Sequence, residues 1–291
     1  MNDVYLDDCV AQLDHLAADA AAFGREHGLL LLKPDAVVAR RLLTAIDWLS
    51  RHGFRIVAAE RIGLDRHAIR AVWREPWRSA TWQRRRLADL LATAADSLLL
   101  LVRAEVAGPV PVSVRLTHLK GANDPRRLEP GQLRQALGPH GFLLNMAHTA
   151  DEPTDMLREL AIYFDTENLN RVLSCALTGT DRSVRARQLA GELYARFPPQ
   201  CLDLAERAAT LLREVDRLLA GDAMTPAARA SLRDAAGPPN GDLRTALSGL
   251  LLWAWRQGIE LDPWNVIVVG AAVLPMGARA VDPSRGVACT G

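Results

Sequence analysis

Residues 141–159, GFLLNMAHTADEPTDMLRE, decide how the rest of the chain is read. An apolar run, Phe142-Leu143-Leu144, brings the chain to Asn145, and His148 follows three residues later. Thr149 and Asp151 stand as candidate caps, Pro153 falls inside a first turn, and acidic residues gather at what reads as a helix N-terminus. The spacing predicts a helix from there to about Phe164, carrying Glu159. A strand edge, an imidazole and a helix N-terminus so close together form a place where backbone N–H groups can meet an anion. Alone, His148 reads as an ordinary polar loop residue; its weight comes from its company elsewhere in the chain.

The 291 residues suffice for two domains of ordinary size, each with its own core. At 49% hydrophobic and 24% charged, the composition is that of a folded chain. Basic and acidic residues number 35 and 34, so no global field favours nucleic acid or an acidic membrane. Neither a signal peptide nor a membrane span is expected: MNDVYLDDCV lacks a basic, then apolar, opening, and no apolar run approaches bilayer length. Cys9, Cys175, Cys201 and Cys289 are scattered without a CxxC pair, which suggests neither zinc nor disulfides and makes a reducing cytoplasm the expected compartment. Only Lys33 and Lys120 are lysine; every other basic residue is arginine. A genomic base bias explains the trend, yet a lysine that persists under it can mark a place where a compact ammonium is required.

Outward from 141–159, residues 5–24 read as one amphipathic helix stopped by Gly24, and His27–Lys33 as a buried strand with its lysine at the C-terminal end. Val38–Arg51 has helical spacing, Phe54–Leu64 reads as a strand, and Asp65 caps a helix reaching Trp73. Residues 75–95 mix tryptophan with arginine, a pattern that stacks on nucleic acid in some proteins but more often makes an exposed helix with its tryptophans turned inward. Leu98–Val106 is ambiguous between strand and helix. PVPVSVRL, 109–116, alternates as an edge strand, and 117–138 reads mostly as loop. Beyond Asp165 the pattern is helical: 166–220 in two segments divided at Pro198-Pro199, then 226–236 and 242–257 separated by 237–241. A last apolar run spans Trp264–Leu274, and the stretch after it reads as frayed.

The first half therefore reads β-α-β-α-α-β-loop-β-α, which suits a small ferredoxin-like α/β sandwich. Lys33 leaves the end of one strand, Arg134 lies in a loop, and Asn145 and His148 follow the last strand. Two cations and an imidazole converging on a strand-end cleft suit phosphoryl transfer, the cations offsetting charge on phosphate oxygens and the imidazole acting as nucleophile.

From about Leu29 to Phe164 the chain resembles the nucleoside diphosphate kinases. Lys33-Pro34-Asp35 is similar to the family's KPD, 51–64 to its second strand and flanks, and Ala107-Gly108-Pro109-Val110 to its SGPV turn. Asn123-Asp124-Pro125, then Pro130-Gly131 and Arg134, resembles TNP…PGTIR; Asn145, His148, Asp151 and Glu159 match NxxHxSD…E. The resemblance implies a ferredoxin-like α/β sandwich over 28–165; the residue patterns on either side add a helical extension over 1–27 and a mainly α-helical domain over 166–291. It implies a phosphotransferase in which His148 relays the γ-phosphoryl of a nucleoside triphosphate to a nucleoside diphosphate, with Glu159 holding the imidazole. Lys33 and Arg134 would hold phosphates, Asn145 would contact the ribose, and Mg²⁺ would arrive bridging the phosphates rather than in a protein cage. It also implies a homo-oligomer, while the helical pattern of residues 166–291 reads as a surface for packing or for a protein partner.

The departures are specific. Leu116–Lys120 is too short for the family's short helix and phosphate-gripping arginine; the phosphate-contacting threonine becomes Asn123; the serine after the histidine becomes Ala150 and the glycine between them Thr149. Trp73 aligns with the family's active-site tyrosine, and Trp77 or Trp82 stands to stack on a base. Two other readings follow: a nucleotide-binding regulatory protein with its chemistry lost, or a scaffold whose helical half does the work.

Overall fold

The computed structural model describes residues 3–220, 226–235 and 242–277. Two helices open the chain, α1 (Val4–His15) and α2 (Ala20–Glu26), and lead into β1 (His27–Leu32). Then come α3 (Pro34–Val38), α4 (Leu42–Arg51), β2 (Phe54–Ile62), α5 (Arg66–Val72), α6 (Trp82–Ala94) and β3 (Ser97–Ala104). A helix α7 (Val112–Lys120), a one-turn helix α8 (Leu133–Leu137), β4 (Ala147–Thr149) and α9 (Pro153–Tyr163) complete the part that forms the sheet. Six helices follow: α10 (Thr166–Leu177), α11 (Ser183–Arg196), α12 (Leu204–Ala220), α13 (Pro226–Ala235), α14 (Leu243–Gln257) and α15 (Pro263–Val273).

The sheet runs β2-β3-β1-β4, with every neighbouring pair antiparallel, as a ferredoxin-like βαββαβ chain requires. β1 is buried along its whole length, as its unbroken leucine run demands of a central strand. Its side chains alternate between two cores. Leu30 and Leu32 join Leu98, Leu100, Ile46 and Leu49 on one face; Leu29 and Leu31 join Leu99, Leu101, Met156 and Leu160 on the other. Leu31 lies opposite His148, so the imidazole is fixed by the register of β4 on the central strand.

Several expectations need correction. His148 lies within the last strand rather than after it, and residues 141–146 before it are irregular. The helix carrying Glu159 starts at Pro153 after an N-cap Glu152 that makes no side-chain bond, so neither Thr149 nor Asp151 caps it. PVPVSVRL is no edge strand: Pro111 is the N-cap of α7. The valine alternation also places Val112 and Leu116 at i,i+4, and packing against β1 at Gly28 selects the helical period. The N-terminal helix breaks where Ala17 takes φ 54, and Asp19 restarts it by capping Ala21 and Ala22. Gly24 is buried in α2 rather than ending it, since a Cβ there would come within 3.3 Å of Pro153 Cβ. Residues 166–220 make three helices, because the chain turns at Gly179 (φ 64) as well as at the prolines.

The later helices do not stand apart from the sheet. Leu169, Val172, Leu173 and Ala176 of α10 pack in the core of one face, and Ala186, Leu189, Ala190 and Leu193 of α11 in that of the other. Both lie along the outer edge of β2, where Arg182 donates its backbone N–H to Ile56 O at 2.7 Å and the Cys175 thiol to Val57 O at 3.5 Å. The remaining helices bury a third cluster (Leu211, Val215, Leu250, Leu251, Val269) against Leu87 of α6. Among the described residues no helix is long and apolar enough to cross a membrane, and Cys9, Cys175 and Cys201 are free thiols. Residues 278–291 of the frayed end, Cys289 among them, and the whole 237–241 break lie outside the described residues.

Candidate active site

The ends of β1 and β4, the start of α3, the C-terminus of α7 and the α5–α6 hairpin enclose a cleft of about 570 Å³. His148 is on its floor. Its Nε2 lies 2.8 and 3.0 Å from the two carboxylate oxygens of Glu159, which is almost wholly buried behind it. Its Nδ1 lies 3.1 Å from the indole Nε1 of Trp73, whose ring meets the imidazole edge-on. An ionised carboxylate can only accept and an indole N–H can only donate. Both neighbours therefore require the same tautomer, with the proton on Nε2 and a lone pair on Nδ1. Tyr163 adds a third link by donating its hydroxyl to Glu159 Oε2 at 3.3 Å; burial and the Glu159 charge raise its phenol well above the ordinary range and keep it a donor.

The backbone beside the imidazole is held under strain. Met146 adopts φ 67, a left-handed conformation that costs about 1 kcal/mol in a non-glycine residue. Its N–H is accepted by Asp35 Oδ2 at 2.8 Å and its carbonyl accepts the Lys33 N–H at 3.0 Å. Asp35, fully buried at the start of α3, thus fixes the turn that delivers His148.

Three cations reach the floor of the cleft. Lys33 donates from Nζ to Leu143 O at 2.7 Å and faces Asp35 at 3.8 Å; burial pulls its ammonium below the usual range, with Asp35 pulling the other way. Arg134 donates from its two terminal nitrogens to Gly121 O (2.8 Å) and Ala147 O (2.7 Å), tying the loop after α7 to β4. Lys120, the last residue of α7, is buried and donates to Thr149 Oγ1 at 2.7 Å. Burial and the neighbouring Arg134 lower it to about 8, against the opposing pull of Asp151 and Glu159. At the mouth Asn145 donates to Phe142 O at 3.0 Å, with Asn123 beside it.

The structure thus brings Lys33, Trp73, Asn123, Arg134, Asn145 and His148 to one cleft, with Glu159 behind the imidazole. Of the two tryptophans considered for stacking, Trp77 lines the wall, gripped by Arg70 and Arg84; Trp82 is exposed and meets Trp255 of α14 instead. Sequence reasoning missed Thr117, Lys120, Thr149, Arg84 and Phe142 as lining residues. For Lys120 a signal existed: the only two lysines in the chain face the same cavity.

The nucleoside diphosphate kinase family model matches residues 26–169. The nucleoside diphosphate kinase of Thermococcus kodakarensis is 31% identical over 149 residues, covering 50% of this chain and 79% of that protein. The chain belongs to the nucleoside diphosphate kinase family. The Pyrococcus furiosus enzyme is 27% identical over 149 residues, 86% of its length. A crystal structure of the Encephalitozoon cuniculi nucleoside diphosphate kinase aligns with 48% of this chain and 88% of its own, at 17% identity and a TM-score of 0.42. The family match ends four residues into α10, so most of the helical stretch lies beyond it. Membership at the level of a kinase-type phosphotransferase family is thereby established. One departure noted from sequence is corrected: the helix before Asn123 is present as α7, and what is lost is a cleft-facing arginine on it, since its Arg115 donates to His52 O and covers the Phe54 ring instead.

Proposed function

We propose that this family member moves the γ-phosphoryl of a nucleoside triphosphate through His148 to a nucleoside diphosphate. The observation that carries the reading is the polarity of the imidazole: Nε2–H faces Glu159, which leaves a lone pair on Nδ1 that accepts from the Trp73 indole at the cleft wall and is freed for attack when that bond opens. That lone pair attacks the γ-phosphorus as the bond to the β-phosphate oxygen breaks, and the electron pair leaves with the diphosphate. Positive charge growing on the ring is offset by the Glu159 carboxylate, and Lys33 and Arg134 offset charge on the phosphate oxygens. Attack by a second diphosphate reverses the sequence. Asn145 and Asn123 line the mouth, and this reading gives them the sugar and the outer phosphates.

Mg²⁺ enters this reading with the nucleotide. Among the described residues no group of three metal-ligating side chains forms a cage, and the one carboxylate lining the cleft is the exposed Asp151. That donor set fits a cation held chiefly by phosphates, where it would neutralise charge.

Incubation with γ-labelled ATP and Mg²⁺ tests the reading. An acid-labile, base-stable label that His148→Ala removes is expected; no label at nucleotide saturation refutes transfer. The Trp73 N–H, which occupies the Nδ1 lone pair, favours a second reading in which nucleotide binds without transfer. Binding without label selects it.

A further inference from the structure

The cleft-facing arginine that the family carries on the helix before the phosphate loop is missing: Arg115 of α7 donates to His52 O and covers the Phe54 ring, outside the cleft lining, and the next arginines in the sequence are Arg126 and Arg127. Those two are exposed, and Arg126 is engaged by Asp124, outside the cleft lining. Instead α7 ends on Lys120, whose ammonium opens on the cleft beside His148 and Arg134.

What holds Lys120 is a chain of hydroxyls whose direction is fixed. Thr117 Oγ1 donates to Ala150 O at 3.1 Å. Having spent its one proton, it must accept from Thr149 Oγ1 at 2.6 Å, so Thr149 in turn accepts from Lys120 Nζ at 2.7 Å. Each member is satisfied, and among the described residues the ammonium uses one of its three N–H groups. Asp151, the nearest carboxylate, stands off at 3.8 Å with its side chain 72% exposed, which leaves the remaining donors to the cavity. The relay depends on Thr149, where the family carries glycine, and on Thr117, four residues before Gly121. Arg134, by contrast, has both terminal nitrogens on backbone carbonyls and serves first as a brace.

Resting on the phosphotransfer reading for the identity of the nucleotide, we propose that Lys120, positioned by the Thr149–Thr117–Ala150 relay, is the phosphate-binding cation that replaces the lost arginine. It contacts the polyphosphate from the end of α7, so that the chain's two lysines, which line the same cleft, both meet phosphate as point charges. An ammonium suits this geometry better than a guanidinium, because the space beside Thr149 is buried and a planar fork would need more room.

Calorimetric titration of the full chain at pH 7 with ADP, inorganic tripolyphosphate and adenosine tests the proposal. Lys120→Met is expected to weaken tripolyphosphate and ADP on the order of ten- to a hundredfold, the loss of one charged hydrogen bond, with adenosine unchanged. Thr149→Val is expected to cause a smaller loss in the same two ligands only. Lys120→Gln serves if the methionine variant melts early. Tripolyphosphate bound by Lys120→Met within about twofold of wild type overturns the proposal, as does a wild-type chain that does not bind it. A Lys120-dependent phosphate site in a chain that takes no label from ATP refutes transfer and leaves the proposal standing.

Discussion

Replacing Glu159 with glutamine removes one charge while keeping an acceptor at nearly the same place. The carboxylate lies 2.8 Å from His148 Nε2 and is only 5% exposed, so water screens little of its interaction with a ring becoming cationic. A hydrogen bond to a charged group is worth about 1.5–3 kcal/mol, which corresponds to roughly 10- to 150-fold in rate. The tautomer should survive the single change, because the Trp73 N–H still requires a lone pair on Nδ1. Removing both constraints, in Glu159→Gln with Trp73→Phe, frees the amide to donate to Nε2 and the proton to move to Nδ1. The double variant should therefore lose more than the product of the two single losses. Folding stability should change little in Glu159→Gln, since a buried carboxylate carries a desolvation cost that its loss relieves. Single-turnover quench with γ-labelled ATP measures the rate, and thermal melting controls for the fold. A Glu159→Gln rate within about twofold of wild type would refute the argument that this carboxylate stabilises the cationic ring.

Lys120 links phosphate affinity to pH with a definite sign. Its folded value of about 8 lies below the ordinary 10.5, so between them the unfolded chain binds more protons and its contribution to stability rises with pH. Phosphate affinity needs the ammonium and should fall across the same window; the groups facing it are Arg134, Asp151, Glu159 and Thr149. Opposed trends in melting temperature and tripolyphosphate binding, both flattened in Lys120→Met, would bear this out. Lys33→Met leaves Leu143 O and the buried Asp35 without their cation and should cost about 1–3 kcal/mol in urea unfolding as well as phosphate affinity. Gly121→Ala places a Cβ at φ 90 against Gln132 Oε1 and 2.8 Å from Leu128 Cδ2. It should destabilise by at least about 1–2 kcal/mol and loosen the carbonyl that anchors Arg134, seen as weaker ADP binding.

The sheet was legible because β1 carries an unbroken apolar run that only a central strand can bury, and the cleft because Lys33, Arg134, Asn145, His148 and Glu159 keep an ordered spacing. What escaped the sequence was set by contacts between distant residues. Val112 and Leu116 fit either period until the bare backbone of Gly28 in β1 gives a helix room to pack. Lys120 stood out by composition, yet its place beside His148 depends on where α7 ends. Trp73 could be aligned with the family's tyrosine, but which imidazole nitrogen it meets follows from where α5 ends, since Trp73 is its C-cap residue.

The capped margin of β2 bears on how copies of this chain can associate. An outermost strand normally offers unpaired peptide groups to a neighbour, and joining two such margins would fuse two sheets into one. Here that route is closed from within: the chain after Phe164 folds back along the strand, supplies a peptide donor to Ile56, and buries side chains on both faces at once. A companion molecule would have to pry away this intramolecular guard before it could dock there. Any self-assembly would therefore have to use other surfaces, and a protein cut short at residue 165 would bare a sticky rim that the intact one has covered.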